Sequence, residues 1–178
     1  LLLSAVQKEI LKFGIHPYEL YQKNIIKELS YELSRDQNIE YIVNWIMKNV
    51  IHPYIEKVDK LKKNEQKQLI EKVIEIINND YMKYDLSLEG CAEKLGINPY
   101  TLSKAFKKVT GENFIDYLTE VRIDKAKELL LTTNKKIQEI SINVGYQQSY
   151  FNRIFKKYTG FSPGQYRKKY EIKQRRIF

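Results

Sequence analysis

The sequence predicts an all-α chain: two helix-turn-helix subdomains joined by a long helix and preceded by a small helical subdomain. Composition is the first reason. Seven Gly and four Pro among 178 residues rich in Lys, Glu, Ile and Leu favour helix over sheet. The second is spacing, since apolar residues recur at intervals of three and four rather than alternating. The third is duplication: from Leu86 onward the chain repeats itself, with Gly96 matched to Gly145 at an offset of 49. At roughly 150 residues per domain, the length allows one domain or two small ones with a real core.

Residues 1–64 read as helical, with weak breaks at Gly14-Ile15-His16-Pro17 and at His52-Pro53. Ile39, Ile42, Val43, Ile46 and Val50 make the stripe of an amphipathic helix, with Trp45 beside it as a packing residue. That stripe needs a cover, from residues 1–30, from a second copy or from an upstream domain. The strongly polar run 57–68 reads as a solvated helix or linker and as the domain boundary, separating 1–64 from 65–178. Residues 1–64 are then a segment for signal relay or dimerisation. The next helix carries Leu69, Val73, Ile76, Ile77 and Tyr81 on one side and ends near Asn78-Asn79-Asp80.

Each repeat reads as helix, tight turn, helix. In the first, about 86–111, Ser87 caps a short helix from Leu88 to Leu95 and Gly96 supplies the positive φ of the turn. Asn98 caps the next helix with Pro99 at its first position, and Gly111 stops it. A connecting helix, about 114–131, carries Phe114, Leu118, Val121, Lys125, Ala126, Leu129 and Leu130 on one stripe. In the second repeat, about 135–160, Asn134 is the expected cap of Ile137–Val144, Gly145 makes the turn and a helix runs to Gly160. Ala92 and Ser141 stand four residues before the turn glycines, where two helices that cross closely need small side chains. Phe-Lys-Lys-x-Thr-Gly ends both copies, and Tyr117 matches Tyr166. This is the helix-turn-helix pattern, given twice.

The second helix of each repeat presents a reading face. With Leu102, Phe106 and Val109 turned inward, Tyr100, Ser103, Lys104 and Lys107 share the other side; with Phe151, Phe155 and Tyr158 inward, Ser149, Asn152, Arg153 and Lys156 do. Hydrogen-bonding and cationic side chains at i, i+3, i+4 and i+7 suit a helix that reads base edges in a major groove. Arg153 can pair bidentately with guanine and Asn152 with adenine. Lys107, Lys108, Lys156 and Lys157 suit phosphate, and Arg167 in the same basic tail is expected there too. A merely solvated face looks the same in one helix, but both copies present this chemistry. Charge placement agrees: residues 145–178 hold nine basic groups against Glu171 alone, whereas 1–64 and 65–144 are close to neutral.

With these residues in view, the chain resembles the AraC/XylS family of bacterial transcription regulators over about residues 66–170. The matching motifs are Leu-Ser-Leu-Glu-x-x-Ala-x-x-Leu-Gly (86–96), Tyr-Leu-x-x-x-Arg-Ile-x-x-Ala-x-x-Leu-Leu (117–130) and Ile-x-Glu-Ile-x-x-x-Val-Gly-Tyr (137–146). The most specific is Tyr-Phe-x-Arg-x-Phe-Lys-Lys-Tyr-Thr-Gly-x-Ser-Pro-x-Gln-Tyr-Arg (150–167). The resemblance implies two helix-turn-helix subdomains on a long helix, with base contacts from Tyr100, Ser103, Lys104, Ser149, Asn152 and Arg153. Three departures stand out: Lys104 where many relatives carry Arg, Ser141 for the usual Ala, and a second turn one residue shorter than the family pattern leads one to expect. Residues 1–64 resemble, on Leu-x-x-Gly-Ile-His-Pro-Tyr-Glu-Leu (11–20) and Ile-x-Tyr-Ile-Val-x-Trp-Ile (39–46), the helical segment of relatives with a receiver domain or a membrane-tethered sensor.

Other classes find little support. No cluster of titratable or nucleophilic groups and no Gly-rich phosphate loop marks an enzyme. The lone Cys91, inside a short helix, reads as packing and points to a reducing compartment; two His 36 residues apart make no metal pattern. No cofactor or metal is expected. No apolar run approaches the ~20 residues of a membrane span. The expected function is sequence-specific binding of double-stranded DNA in transcription, as an activator at the output end of a larger signal-responsive protein. RNA polymerase, an upstream sensor or receiver domain and a second copy are the expected partners. The expected location is cytoplasmic and nucleoid-associated, with a parent protein that a membrane sensor can tether. The alternative is a helical protein–protein adaptor with a basic tail.

Overall fold

In the computed structural model the described residues (8, 11, 12, 16, 20, 21, 24–35 and 38–174) contain helices and no strand. The break expected at 14–17 and the last basic residues, Arg175 and Arg176, lie largely or wholly outside them. The chain divides into two compact units, Leu1–Glu65 and Gln66–Phe178.

In the first unit, α1 (Ile25–Arg35) is followed by α2 (Ile39–Ile46), whose cap Asn38 accepts from the Glu40 and Tyr41 N–H groups. A wide π turn, Met47–Ile51, then leads into α3 (His52–Asp80). The expected break at His52-Pro53 is therefore not a turn. Pro53 has no N–H to give, and the π turn just before it is where the hydrogen-bond ladder rearranges. Tyr21, Ile25 and Val50 form the core, with Trp45, Ile46 and Tyr54 packed on it, and the Tyr21 hydroxyl donates to the Val50 carbonyl at 3.2 Å. Ile39 and Val43, at the start of the stripe, remain uncovered among the described residues, Ile39 79% exposed. The polar run 57–68 is no separate linker, because it lies inside α3.

In the second unit the glycine turns and the helix endings repeat, while the side-chain caps belong to the first copy. Ser87 caps α4 (Leu88–Lys94) by accepting from Gly90 N–H, and Asn98 caps α5 (Pro99–Thr110) through Tyr100 and Thr101. Gly96 takes φ +65° and Gly145 +76°. Past these glycines, Ile97 N–H reaches the Ala92 carbonyl and Tyr146 N–H the Ser141 carbonyl, both at 2.9 Å. Ala92 and Ser141 are wholly buried, and the Ser141 hydroxyl donates to the Gln138 carbonyl, so serine is tolerated where the helices cross.

The shared Thr-Gly ending also has a cause. Thr110 and Thr159 each bring their hydroxyl 2.8 Å from a carbonyl four residues back and 3.0 Å from one two residues on, and the following glycine turns left-handed. Helix α8 (Gln148–Thr159) begins three residues after Gly145, as α5 begins three after Gly96, so the second turn is not shorter than the first.

Three expectations need correction. Asn134 does not cap α7 (Ile137–Asn143): Lys136 is the cap residue, and its N–H donates to the Glu139 carboxylate at 2.6 Å. Val109 and Tyr158, equivalent positions, are 41% and 36% exposed rather than buried. Ala105 and Ile154, three residues after Leu102 and Phe151, pack inward, whereas Val109 and Tyr158 stand in the last turn of α5 and α8, outside both cores.

The connecting helix α6 (Phe114–Thr132) serves two cores. Phe114 and Leu118 close the first with Ile70, Val73, Ile77, Leu102 and Phe106; Ile123, Ala126 and Leu130 close the second with Ile140, Val144, Phe151 and Phe155. Burying each Phe contributes about 1.5–3 kcal/mol. Of the expected stripe, Lys125 is exposed. Helix α9 (Pro163–Gln174) packs Tyr166 edge-on against Phe155.

The two turn glycines should differ in what they tolerate. A Cβ at Gly96 meets nothing within 4 Å, so Gly96→Ala should cost only the left-handed strain, about 1–2 kcal/mol. At Gly145 the same atom would lie 2.7 Å from the Tyr81 carbonyl oxygen, so Gly145→Ala should lose a further ~1–3 kcal/mol to overpacking. Urea unfolding of the two variants measures the difference.

Candidate nucleic-acid interface

Helices α5 and α8 carry the predicted reading residues on their exposed sides. Tyr100, Ser103 and Lys104 lie in the first turns of α5, and Ser149, Asn152 and Arg153 in those of α8; all six are exposed. Ser149 falls inside the first turn of α8, one residue after its start. Behind each face sits a wholly buried anchor pair, Leu102 with Phe106 and Phe151 with Phe155, which fixes the helix rotation and hence the direction of the polar side.

The cations in each face rest on tyrosine rings. Lys104 Nζ stands 4.5 Å from the Tyr100 ring centre, and the Arg153 guanidinium 5.2 Å from that of Tyr150. Such placement restricts a long side chain while leaving its donors free. Tyr150 was not singled out in the sequence as a site residue, although an aromatic three residues before an arginine on one helix face is a readable signal. Tyr100 and Ser103 also line a surface cavity of about 590 Å³ together with Leu86, Ile115 and Asp116.

Lys107, Lys108, Lys156 and Lys157 fall in the last turns of α5 and α8 and form no ion pair among the described residues. There they complement the helix dipole and keep their ammonium groups available. Arg167 is different. Its Nε donates to the Leu130 carbonyl at 3.1 Å and its Nη2 to the Lys135 carbonyl at 2.7 Å, tying α9 to the end of α6 and the loop after it. The guanidinium expected on phosphate is thus occupied in holding the backbone. Tyr158 looks toward the acidic side of α6: burial, then Asp116 and Glu120, push its phenol up. Burial likewise pushes the Cys91 thiol up, in keeping with a packing role. Among the described residues no group of three or more His, Cys, Asp or Glu could hold a metal, and no helix is long and apolar enough to cross a membrane.

A helix-turn-helix domain model matches residues 91–169. Two solved structures share the arrangement at substantial identity. The C-terminal domain of AraT, a response regulator from Geobacillus stearothermophilus, is 42% identical with a TM-score of 0.56, over 57% of this chain and 84% of that one. The C-terminal domain of the two-component response regulator yesN from Fusobacterium nucleatum is 43% identical with a TM-score of 0.53, over 55% and 95%. The HTH-type transcriptional regulator YtdP of Bacillus subtilis is 32% identical over 155 residues, 86% of this chain and 20% of its own length. The chain belongs to the AraC/XylS family.

Its two helix-turn-helix motifs are those of an AraC-type DNA-binding domain. The chain spans only a fifth to a half of the length of the first curated relatives it matches.

In DNA titrations at rising salt, Lys107→Ala should flatten the log–log slope by about one. Arg167→Gln should leave the slope unchanged and lower the thermal midpoint instead. A flatter slope in Arg167→Gln would return that residue to the phosphate contacts.

Proposed function

We propose that this AraC/XylS chain is the output end of a signal-responsive transcription regulator that reads a specific double-stranded DNA site with α5 and α8. Tyr100, Ser103, Lys104, Ser149, Asn152 and Arg153 address base edges, and Lys107, Lys108, Lys156 and Lys157 address phosphate. One observation carries this reading: two helices of the same length, started and stopped at equivalent positions, each present a tyrosine-backed cation beside small polar side chains. Arg153 reads guanine through its fork and Asn152 adenine through its amide, while the lysines hold register as point charges. Helix α6, shared by both cores, keeps the two helix-turn-helix motifs on one frame, and successive major-groove segments lie about one helical turn, ~10 bp, apart.

Relatives named as response regulators support the wider role. In this reading a sensor or receiver domain lies upstream, the reading helices work in the cytoplasm, and RNA polymerase is the machinery acted upon. The uncovered Ile39 and Val43 support an apolar contact made by residues 1–64, with a second copy as the partner.

Arg153→Ala should lose ~1–3 kcal/mol on the preferred duplex and relax discrimination at one base pair. Equal loss on random duplex would show a backbone grip only. Footprinting with saturating full chain should protect two neighbouring segments; a single segment would remove the first helix-turn-helix from base reading. Sedimentation of 1–178 against 66–178 tests the copy–copy contact, which fails if both run as monomers.

A further inference from the structure

Arg122, near the middle of α6, is a charged side chain only 5% exposed. Its Nε donates to the Tyr81 carbonyl at 2.8 Å and its Nη2 to the Lys83 carbonyl at 2.7 Å, at the end of α3 and just beyond it. Two carbonyls in fixed directions leave the planar guanidinium no freedom. Its flat side then stands 4.7 Å from the centre of the Tyr146 ring. Tyr146 is held at its other end, where its hydroxyl donates to Thr119 Oγ1 at 3.3 Å. The Tyr146 ring lies 5.4 Å from the Tyr150 ring, and Arg153 lies over Tyr150 at 5.2 Å.

A continuous chain of contacts thus runs from a buried arginine on α6 to an exposed arginine on α8: cation, ring, ring, cation, the two rings tilted 51° to each other. Gly145 admits these contacts, because a Cβ there would come within 2.8 Å of Arg122 Nη2.

We propose that Arg122 is a positioning residue for base recognition by the second helix-turn-helix, holding Arg153 in its reading pose through Tyr146 and Tyr150. This rests on the reading of Arg153 as a base contact. The first helix-turn-helix has no counterpart: at the positions of Tyr146 and Tyr150 it carries Ile97 and Thr101, and Lys104 rests on the exposed Tyr100 instead. A guanidinium free to rotate spends binding energy on ordering; one already stacked does not. The chain of contacts therefore acts on discrimination at one base pair and leaves the phosphate contacts alone.

The test uses the full chain and a duplex selected by it from a random-sequence pool, with each base pair then varied in turn. Arg153→Ala identifies the base pair that Arg153 reads. Arg122→Lys and Tyr146→Leu should reduce preference at that same base pair by roughly threefold to tenfold, a fraction of what a bidentate contact supplies. Preferences read by the first helix-turn-helix and the salt slope should be unchanged, and Tyr146→Leu combined with Arg153→Ala should be no worse than Arg153→Ala alone.

Tyr150→Leu guards against a folding failure: Tyr150 is 43% exposed, so this variant keeps the core and should show the same selective loss. A uniform fall in affinity across all sequences, or full additivity with Arg153→Ala, assigns Arg122 a purely structural role and overturns the proposal while Arg153 remains a base contact. If Arg153→Ala itself shifts no base preference, the reading of Arg153 falls and the proposal with it.

Discussion

The second unit depends on α6 being buried by two different cores at once. Its first two turns close the α4–α5 core through Phe114 and Leu118, and its second half closes the α7–α8 core through Ile123, Ala126 and Leu130. A helix used this way has no single outward face, so at the crossover it must bury residues that an amphipathic helix would expose. Thr119 and Arg122 are those residues. A buried guanidinium without partners would cost far more than the helix gains, so the carbonyls just past α3 are part of the same requirement. Tyr81, which packs against both cores, shows how closely the end of α3 is tied to that crossover.

Duplication places the two reading helices under the same local rules. A left-handed glycine with the N–H bonds around it and a threonine hydroxyl turned back on the helix end are short-range devices found in both copies. Each satisfies backbone groups that a helix end leaves open. They copy faithfully because none depends on what lies elsewhere in the molecule. The arginines that join the pieces are not copied in this way. Arg122 reaches back to the end of α3 and Arg167 to the end of α6, from positions that are not equivalent in the repeat.

That contrast explains what could be read in the sequence. Helix starts at Leu88, Pro99 and Phe114 were legible because caps and turns announce themselves within four residues. That Tyr100, Ser103, Lys104, Ser149, Asn152 and Arg153 face outward was legible because the core partners Leu102, Phe106, Phe151 and Phe155 set the rotation of their helices. Val109 and Tyr158 were misplaced although i+7 lies within about 20° of the buried face, because they stand in the last turn of a twelve-residue helix, outside both cores. Arg167 resembled a phosphate contact by charge alone; only distance to the Leu130 and Lys135 carbonyls reveals its use. The π turn at 47–51 left no sign but Pro53, and a single proline reads more readily as a break.

The two heads, though built alike, differ in how firmly their cations are held. In the first, Lys104 rests on a tyrosine at the edge of a cavity, and the turn glycine stands in open space. In the second, the turn glycine is pressed against Tyr81 and Arg122, and the reading arginine is backed by two rings. Lysine, a hydrated point charge on a flexible stem, gains little from rigid backing; arginine, whose fork must meet two acceptors in one plane, gains much. Within the proposed DNA reading, sequence discrimination therefore concentrates in the second helix-turn-helix. The first contributes affinity and register, and can shift its side chains to suit different bases.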